Sequence, residues 1–453
     1  MINLFDLVSV TEAQFSIFLN TNTFLDLAFG KFYQGKNNWL LNGGLSHVNG
    51  FVGRNGMYKS AKVDSIVANT MLMYPGSNTY SYDSEKTKPS KTRYDDYVDT
   101  PVSDRIKLFD GDEYDINGVH DIIKDLVNTK LKHAKDLEVE TPFLTKDKKN
   151  IRMLIPTFFI IDSFSRARSN EEDELFTKFD LNDSKTNTAD LADGKIKTHF
   201  MKQLIGYGKK AHIYFLLTAH VGGKKELTSM PWQQTPRQLQ YMRSDDRIKN
   251  VGSQFEFLTS TCLQTTTVKA ITDKDNECYY PTLFSTPTEV NELKTTVLRN
   301  KNNAAGMNIP FVFSQNQGIL NDLTHFNYLR EYAKDAGLNV KGNNYSSMFL
   351  PDISVNRKNV RAKLKDSYEL CRALQLTAQL IYVQNYWTTF KQDIDTTIPV
   401  EEFINILMKN NKPSISDILN SRGYWSYCNK DARMYLTLFD VLQIIQNGKL
   451  EKK

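Results

Sequence analysis

The spacing of apolar and polar positions changes period along the chain, and each change predicts an element. HVNGFVG (47–53) predicts a short strand running into a turn. In KSAKVDSIVANTMLMYP (59–75) the apolar residues Val63, Ile66, Val67 and Met71 fall at helical spacing, and Pro75-Gly76 ends the helix. NTYSYDSE (78–85) predicts the next strand, so 47–85 is expected to be one βαβ unit. RMLIPTFFIIDS (152–163) and HIYFLLTAH (212–220) are apolar runs of the kind that buried strands carry, closing on Asp162 and His220. Helices are expected over 116–136 and in KTHFMKQLIGYGKKA (197–211). FEFLTSTCLQTTTVKAI (255–271) and NELKTTVLRNK (291–301) predict later strands at an antiparallel edge. The polar stretches 86–115, 164–190 and 221–253 are expected to be loops. From about 320 the pattern turns amphipathic, through 325–338, 368–384, 400–410 and 435–448, which predicts a helical region over 345–453. Residues 1–45 predict a small helical or mixed lead-in that ends at Gly43-Gly44.

Composition narrows the class only a little. The 453 residues are 40% hydrophobic and 24% charged, ordinary values for a globular chain with a sizeable core. A formal net charge of +5 permits a nucleic-acid partner without demanding one. The four cysteines, Cys262, Cys278, Cys371 and Cys428, contain no C-x-x-C pair, which argues against a zinc cluster and for free thiols in a reducing compartment. Asp6 and Glu12 interrupt the first apolar run, so no signal peptide is expected, and no apolar stretch reaches the length of a membrane span. His47, His120, His133, His199, His212 and His325 show no ligand spacing and are expected to be structural.

The chemistry concentrates in GFVGRNGMYKS (50–60). A phosphate loop has the form G-x-x-x-x-G-K-[ST]. Gly53 opens that pattern and Lys59-Ser60 close it, but Tyr58 stands where the second glycine belongs. In such a loop a strand feeds a helix, free amides and the helix dipole favour an anion, lysine reaches the outer phosphates, and the hydroxyl holds magnesium. An ordinary turn is the alternative. Two carboxylates favour the loop: Glu85 and Asp162 both follow predicted strands, where ligands of open α/β sheets sit. A metal-bound triphosphate needs a cation, an acid for the metal and a carboxylate to orient water.

These residues together resemble the RecA family of recombinases, most closely the phage UvsX type, which also carries a bulky aromatic before Lys-Ser. NGG (42–44), YDSE (82–85), FFIIDS (158–163), LLTAH (216–220) and VLRNKN (297–302) are similar to further family segments. The resemblance spans roughly 20–345 and is strongest near these motifs. It implies an α/β fold with a RecA-like P-loop ATPase core over 41–340, a mostly parallel central sheet, an N-terminal segment over 1–40 that acts as an oligomerisation arm, and a helical C-terminal domain over 345–453. It implies ATP and magnesium as cofactors, held by Gly53, Arg54, Asn55, Gly56, Met57, Tyr58, Lys59, Ser60 and Asp162. Ser60 and Asp162 would serve the metal. Glu85 would orient water, His220 would sense the γ-phosphate, and Arg299 and Lys301 would reach a neighbouring subunit's ATP.

The implied partners are single-stranded DNA, duplex DNA during exchange, further copies in a helical filament, and single-strand-binding and mediator proteins, in the cytoplasm of an infected bacterium. DNA contact is expected from Arg166 and Arg168, and from Lys224, Lys225, Trp232, Arg237, Tyr241, Arg243, Arg247 and Lys249. Glu226, Asp245 and Asp246 leave that second segment net positive, and its aromatics suit stacking on bases. Glu171, Glu172, Asp173 and Glu174 oppose DNA in the first. The chain departs from the family in its second DNA loop, which holds few glycines, in Ala219 before His220 where an amide is usual, and in an end, GKLEKK, that is not acidic. A hexameric helicase built on the same core, or a DNA-binding scaffold with a weakened ATPase, are the alternative readings.

Overall fold

Pro156 divides the apolar run 152–163 between two sheets. The expectation of one strand there is corrected in the computed structural model, which describes residues 15–169, 189–223 and 238–447 apart from Pro89, Ser253, Phe284, 334–335, 388–393, 410–412 and 428–431. Strand β7 (Asn150–Leu154) pairs with β6 (Glu138–Leu144) in a separate antiparallel hairpin, while β8 (Thr157–Asp162) enters the central sheet. Proline has no amide to give a ladder, so the run changes partner where it falls.

The chain opens with α1 (Phe24–Ala28) and the hairpin β1 (Lys31–Gln34) and β2 (Trp39–Asn42). Then come β3 (Val48–Gly53), α2 (Lys59–Met73), β4 (Asn78–Asp83), α3 (Arg93–Val98), β5 (Ile106–Asp110), α4 (Ile116–Lys132) and α5 (Ala134–Leu137). After β8 follow α6 (Ala189–Ala211), β9 (Ile213–Gly223), β10 (Asp246–Ile248), α7 (Phe255–Leu258), β11 (Thr261–Ala270), β12 (Val290–Asn300), β13 (Asn308–Ser314) and β14 (Gly318–Ile319). Nine strands of the ten-stranded sheet lie in the order β14-β13-β12-β11-β3-β9-β8-β4-β5, and β10 pairs with the far end of β9. From β11 to β5 every pairing is parallel; β12, β13 and β14 add an antiparallel side, of which β12 was expected, whereas the strand expected over 255–271 begins as helix α7 and its β11 also pairs in parallel with β3. The protein is thus α/β, with a mostly parallel central sheet.

Both faces of the parallel block are buried, which is why its strands are apolar at consecutive positions. Phe158 and Ile160 of β8 join Phe51, Leu216 and the α2 residues Val63, Ile66, Val67 and Met71. Phe159 and Ile161 face the other way, toward Ile116, Val119, Ile123 and Val127 of α4 and Phe200 and Leu204 of α6.

Two further expectations are corrected. Residues 86–115 are not simply a loop: they hold α3 and the edge strand β5, whose exposed edge tolerates the lysines and aspartates that disguise it. Residues 345–453 are not helical throughout. An antiparallel sheet of β15 (Leu338–Lys341), β16 (Asn344–Ser347) and β17 (Leu350–Val355) follows α8 (Asn321–Tyr332), with Gly342 at φ +61° in its first turn. Beyond it lie α9 (Val360–Asp366), α10 (Tyr368–Tyr386), α11 (Val400–Lys409), α12 (Ile415–Leu419) and α13 (Leu438–Asn447). Residues 24–42 pack into this region: the Phe32 and Phe439 rings stack at 3.7 Å, and Phe24 lies 4.9 Å from Tyr382.

Candidate functional site

Strand β3 ends at Gly53 and α2 begins at Lys59, so the loop between them opens at the carboxyl end of the parallel block. Gly56 has φ +73° and open space around its Cα. Tyr58 caps α2 in the left-handed region, at φ 50°. That backbone is where glycine is easiest, which explains the glycine of the usual pattern. Here the tyrosine ring packs 5.1 Å from Phe313 of β13, and that contact holds the residue in place. Lys59 is buried, and its Nζ donates to the Arg54 carbonyl across the loop at 3.0 Å. Burial lowers its pKa, while Asp162 and Glu85 act to raise it.

The two carboxylates come from neighbouring strands. Asp162 closes β8, and its Oδ1 accepts from Ser60 Oγ at 3.0 Å and from Thr218 Oγ1 at 2.5 Å. Glu85 follows β4 in a turn that Asp83 organises: the Asp83 carboxylate accepts from the amides of Glu85, Thr87 and Lys88. Glu85 Oε1 meets His220 Nε2 at 2.5 Å, with Arg166 Nε at 3.9 Å. The turn also drives Lys88 inward, where its Nζ reaches Asp64 Oδ1 at 2.8 Å and Asp162 Oδ2 at 3.5 Å. Lys59, Ser60, Glu85, Asp162 and His220 therefore gather at the ends of four adjacent strands, β3, β9, β8 and β4. Sequence reasoning missed Thr218 and Lys88. Thr218 lies two positions before His220 and so on the same face of β9, a signal that was available. Lys88, within EKTKPS, carries none.

Other expected residues lie elsewhere. Arg299 is opposite Cys262, itself opposite Gly50, whereas Gly53 pairs with Thr265. Its guanidinium donates to the carbonyls of Thr259 and Phe257, and the Lys301 amide donates to Ser260. Both cations thus stand at the opposite end of the sheet from Lys59 and do not meet the site within one chain.

Arg54 turns from the loop to Asp246, with Nη2 2.7 Å from Oδ1; Gln264 Nε2 binds the other oxygen. Asp246 is buried, so it does not belong to the exposed charge of segment 221–253, as the sequence count had it. Arg166 is exposed beside Glu85, and Arg168 is exposed where its carbonyl accepts the Ile116 amide at the start of α4. Arg243, Lys249 and Tyr241 are exposed and Arg247 is half-buried; the Tyr241 ring lies against Gly306 and the Lys249 stem against Gly222. Lys224, Lys225, Trp232, Arg237, Glu226 and the acidic run 171–174 lie outside the described residues.

Among the described residues no three His, Cys, Asp or Glu side chains form a metal cluster. The Ser60 hydroxyl and the Asp162 carboxylate beside it suit a hard cation that keeps most of its ligands as water and phosphate, which is magnesium's habit. Asn55, Gly56 and Met57 supply the exposed and half-exposed backbone of the loop. Comparison with models of known protein families and with curated proteins finds no match to this chain. No helix among the described residues is long and apolar enough to cross a membrane.

Proposed function

We propose that the chain is a nucleoside-triphosphate hydrolase of the P-loop class, and within that class a DNA-dependent ATPase of the RecA type. One observation carries the class: Lys59, Ser60, Glu85, Asp162 and His220 converge at the carboxyl ends of adjacent parallel strands, although the first and last are 161 positions apart. In this reading magnesium-bound ATP supplies the reactive phosphoryl group and the metal's charge. Lys59 leaves the Arg54 carbonyl for the outer phosphates, and the loop amides and the start of α2 hold the anion. Ser60 and Asp162 hold the metal. Glu85 orients the attacking water and passes its proton toward His220, whose Nε2 it already meets.

The narrower reading rests on the resemblance to RecA-type recombinases. The chain would assemble as a helical filament on single-stranded DNA and support strand exchange with a duplex. Arg299 and Lys301, at the far end of the sheet, would then serve the next subunit's ATP. Arg166, Arg168, Arg243, Arg247 and Lys249 would track the DNA backbone.

The test is ATP hydrolysis by the wild type and by Lys59→Ala, each with and without single-stranded DNA. The expected result is turnover that DNA stimulates and that the variant loses by a factor on the order of 100 or more, since a preorganised charge on the transferring group is gone. Turnover without DNA stimulation leaves the class and removes the recombinase. Absence of turnover with DNA still bound favours a DNA-binding scaffold.

A further inference from the structure

Lys88 is a cation beside Asp162 that the nucleotide reading does not use. Its side chain is only 8% exposed, at the end of a turn rich in lysine and threonine where a solvated residue would be expected. Three amides on the Asp83 carboxylate fix that turn with two outlooks: Glu85 toward His220, and Lys88 toward the interior. Inside, the ammonium bonds to Asp64 Oδ1 at 2.8 Å and Ser81 Oγ at 3.0 Å, and Asp64 also accepts from Tyr94 at 2.6 Å. The ammonium is thus held between two carboxylates, Asp64 at 2.8 Å and Asp162 at 3.5 Å.

Its remaining neighbour is the functional one. Asp162 gives Oδ1 to two hydroxyls and leaves Oδ2 facing Lys88 at 3.5 Å. A polyphosphate entering the 53–60 loop brings negative charge beside Asp162. Ordinarily the divalent cation screens the two from each other. Here a fixed protein cation, shared with Asp64, already faces the carboxylate.

Resting on the nucleotide reading, we propose that Lys88 is the built-in counter-ion of Asp162, a positioning residue that lets a nucleoside di- or triphosphate bind without a divalent metal. Metal is then required for turnover, through Ser60 and Asp162, and not for occupancy.

The experiment is an equilibrium titration of the full chain with a fluorescent methylanthraniloyl-ADP, in EDTA and in millimolar magnesium. Wild type should bind equally well in both. Lys88→Met should weaken binding in EDTA about tenfold, the scale on which one nearby charge acts, and leave binding in magnesium close to wild type. Adding Asp162→Asn to Lys88→Met should restore affinity in EDTA, because the uncovered carboxylate is gone. Lys88→Met also strands Asp64, so circular dichroism and a thermal melt accompany each variant. If it does not fold, Lys88→Gln, which removes the charge but keeps an amide donor for Asp64, should show the same loss in EDTA. Wild-type binding that needs magnesium, a Lys88 variant that binds like wild type in EDTA, or no rescue by Asp162→Asn each overturns the inference and leaves the nucleotide reading standing. No binding by wild type in either buffer overturns the nucleotide reading, and the inference with it.

Discussion

Tyr58 shows how a single residue can depart from a motif and keep its geometry. The φ of 50° is costly for any side chain, by about 1–2 kcal/mol relative to right-handed backbone. The ring recovers part of that cost by packing on Phe313. Two substitutions separate the terms. Tyr58→Ala loses the ring and keeps the strain, while Tyr58→Gly loses both. We therefore expect Tyr58→Gly to be more stable than Tyr58→Ala by about 1 kcal/mol in urea melts. Equal stability would mean that the loop relaxes when the ring is removed.

At the scale of elements, the short strand β10 is tied to the site at two points. Asp246 holds Arg54 of the 53–60 loop, and the Lys249 amide donates to the carbonyl of His220. Whatever moves the loop or β9 acts on β10 directly. Asp246→Asn keeps a partner for Gln264 but removes the charge that Arg54 seeks. The expected outcome is faster amide hydrogen exchange in the peptide covering 238–252, with exchange in α4 unchanged. Unchanged exchange in β10 would show that strand pairing alone holds it. The pattern also explains a misreading. Asp246 lies in a polar, mixed-charge stretch, and nothing local separates a carboxylate that is exposed from one that is buried against an arginine nearly 200 positions away.

Across the whole molecule, the hairpin β1-β2 and helix α13 are one structure. Phe32 stacks on Phe439, the Trp39 amide donates to Asp440, and the Leu41 amide donates to the Tyr435 hydroxyl. Phe439→Ala empties a fully packed position and should cost about 3–5 kcal/mol. Because the contact joins segments about 400 positions apart, the loss should appear in a thermal melt as one transition at lower temperature. A separate early transition would show that the terminal region unfolds alone.

The sequence by itself determined the parts whose signal is local. The helical period of 59–73, the apolar runs of β8 and β9, and the lysine-serine pair at a strand-helix junction all follow from side chains a few positions apart. So does the placing of Glu85 and Asp162 at or just past strand ends, although where β8 begins was set by Pro156 and not by its apolar run. Tertiary structure decided the rest. Strand order brings β4, β8, β9 and β3 side by side, and only that order sets Glu85 against His220 and Ser60 against Asp162. The burial of Lys88, the pairing of Arg54 with Asp246 and the stacking of Phe32 on Phe439 have no local signature. Each is fixed by contacts between segments distant in sequence, where the free energy of burying charge or aromatic surface depends on the neighbour that the fold supplies.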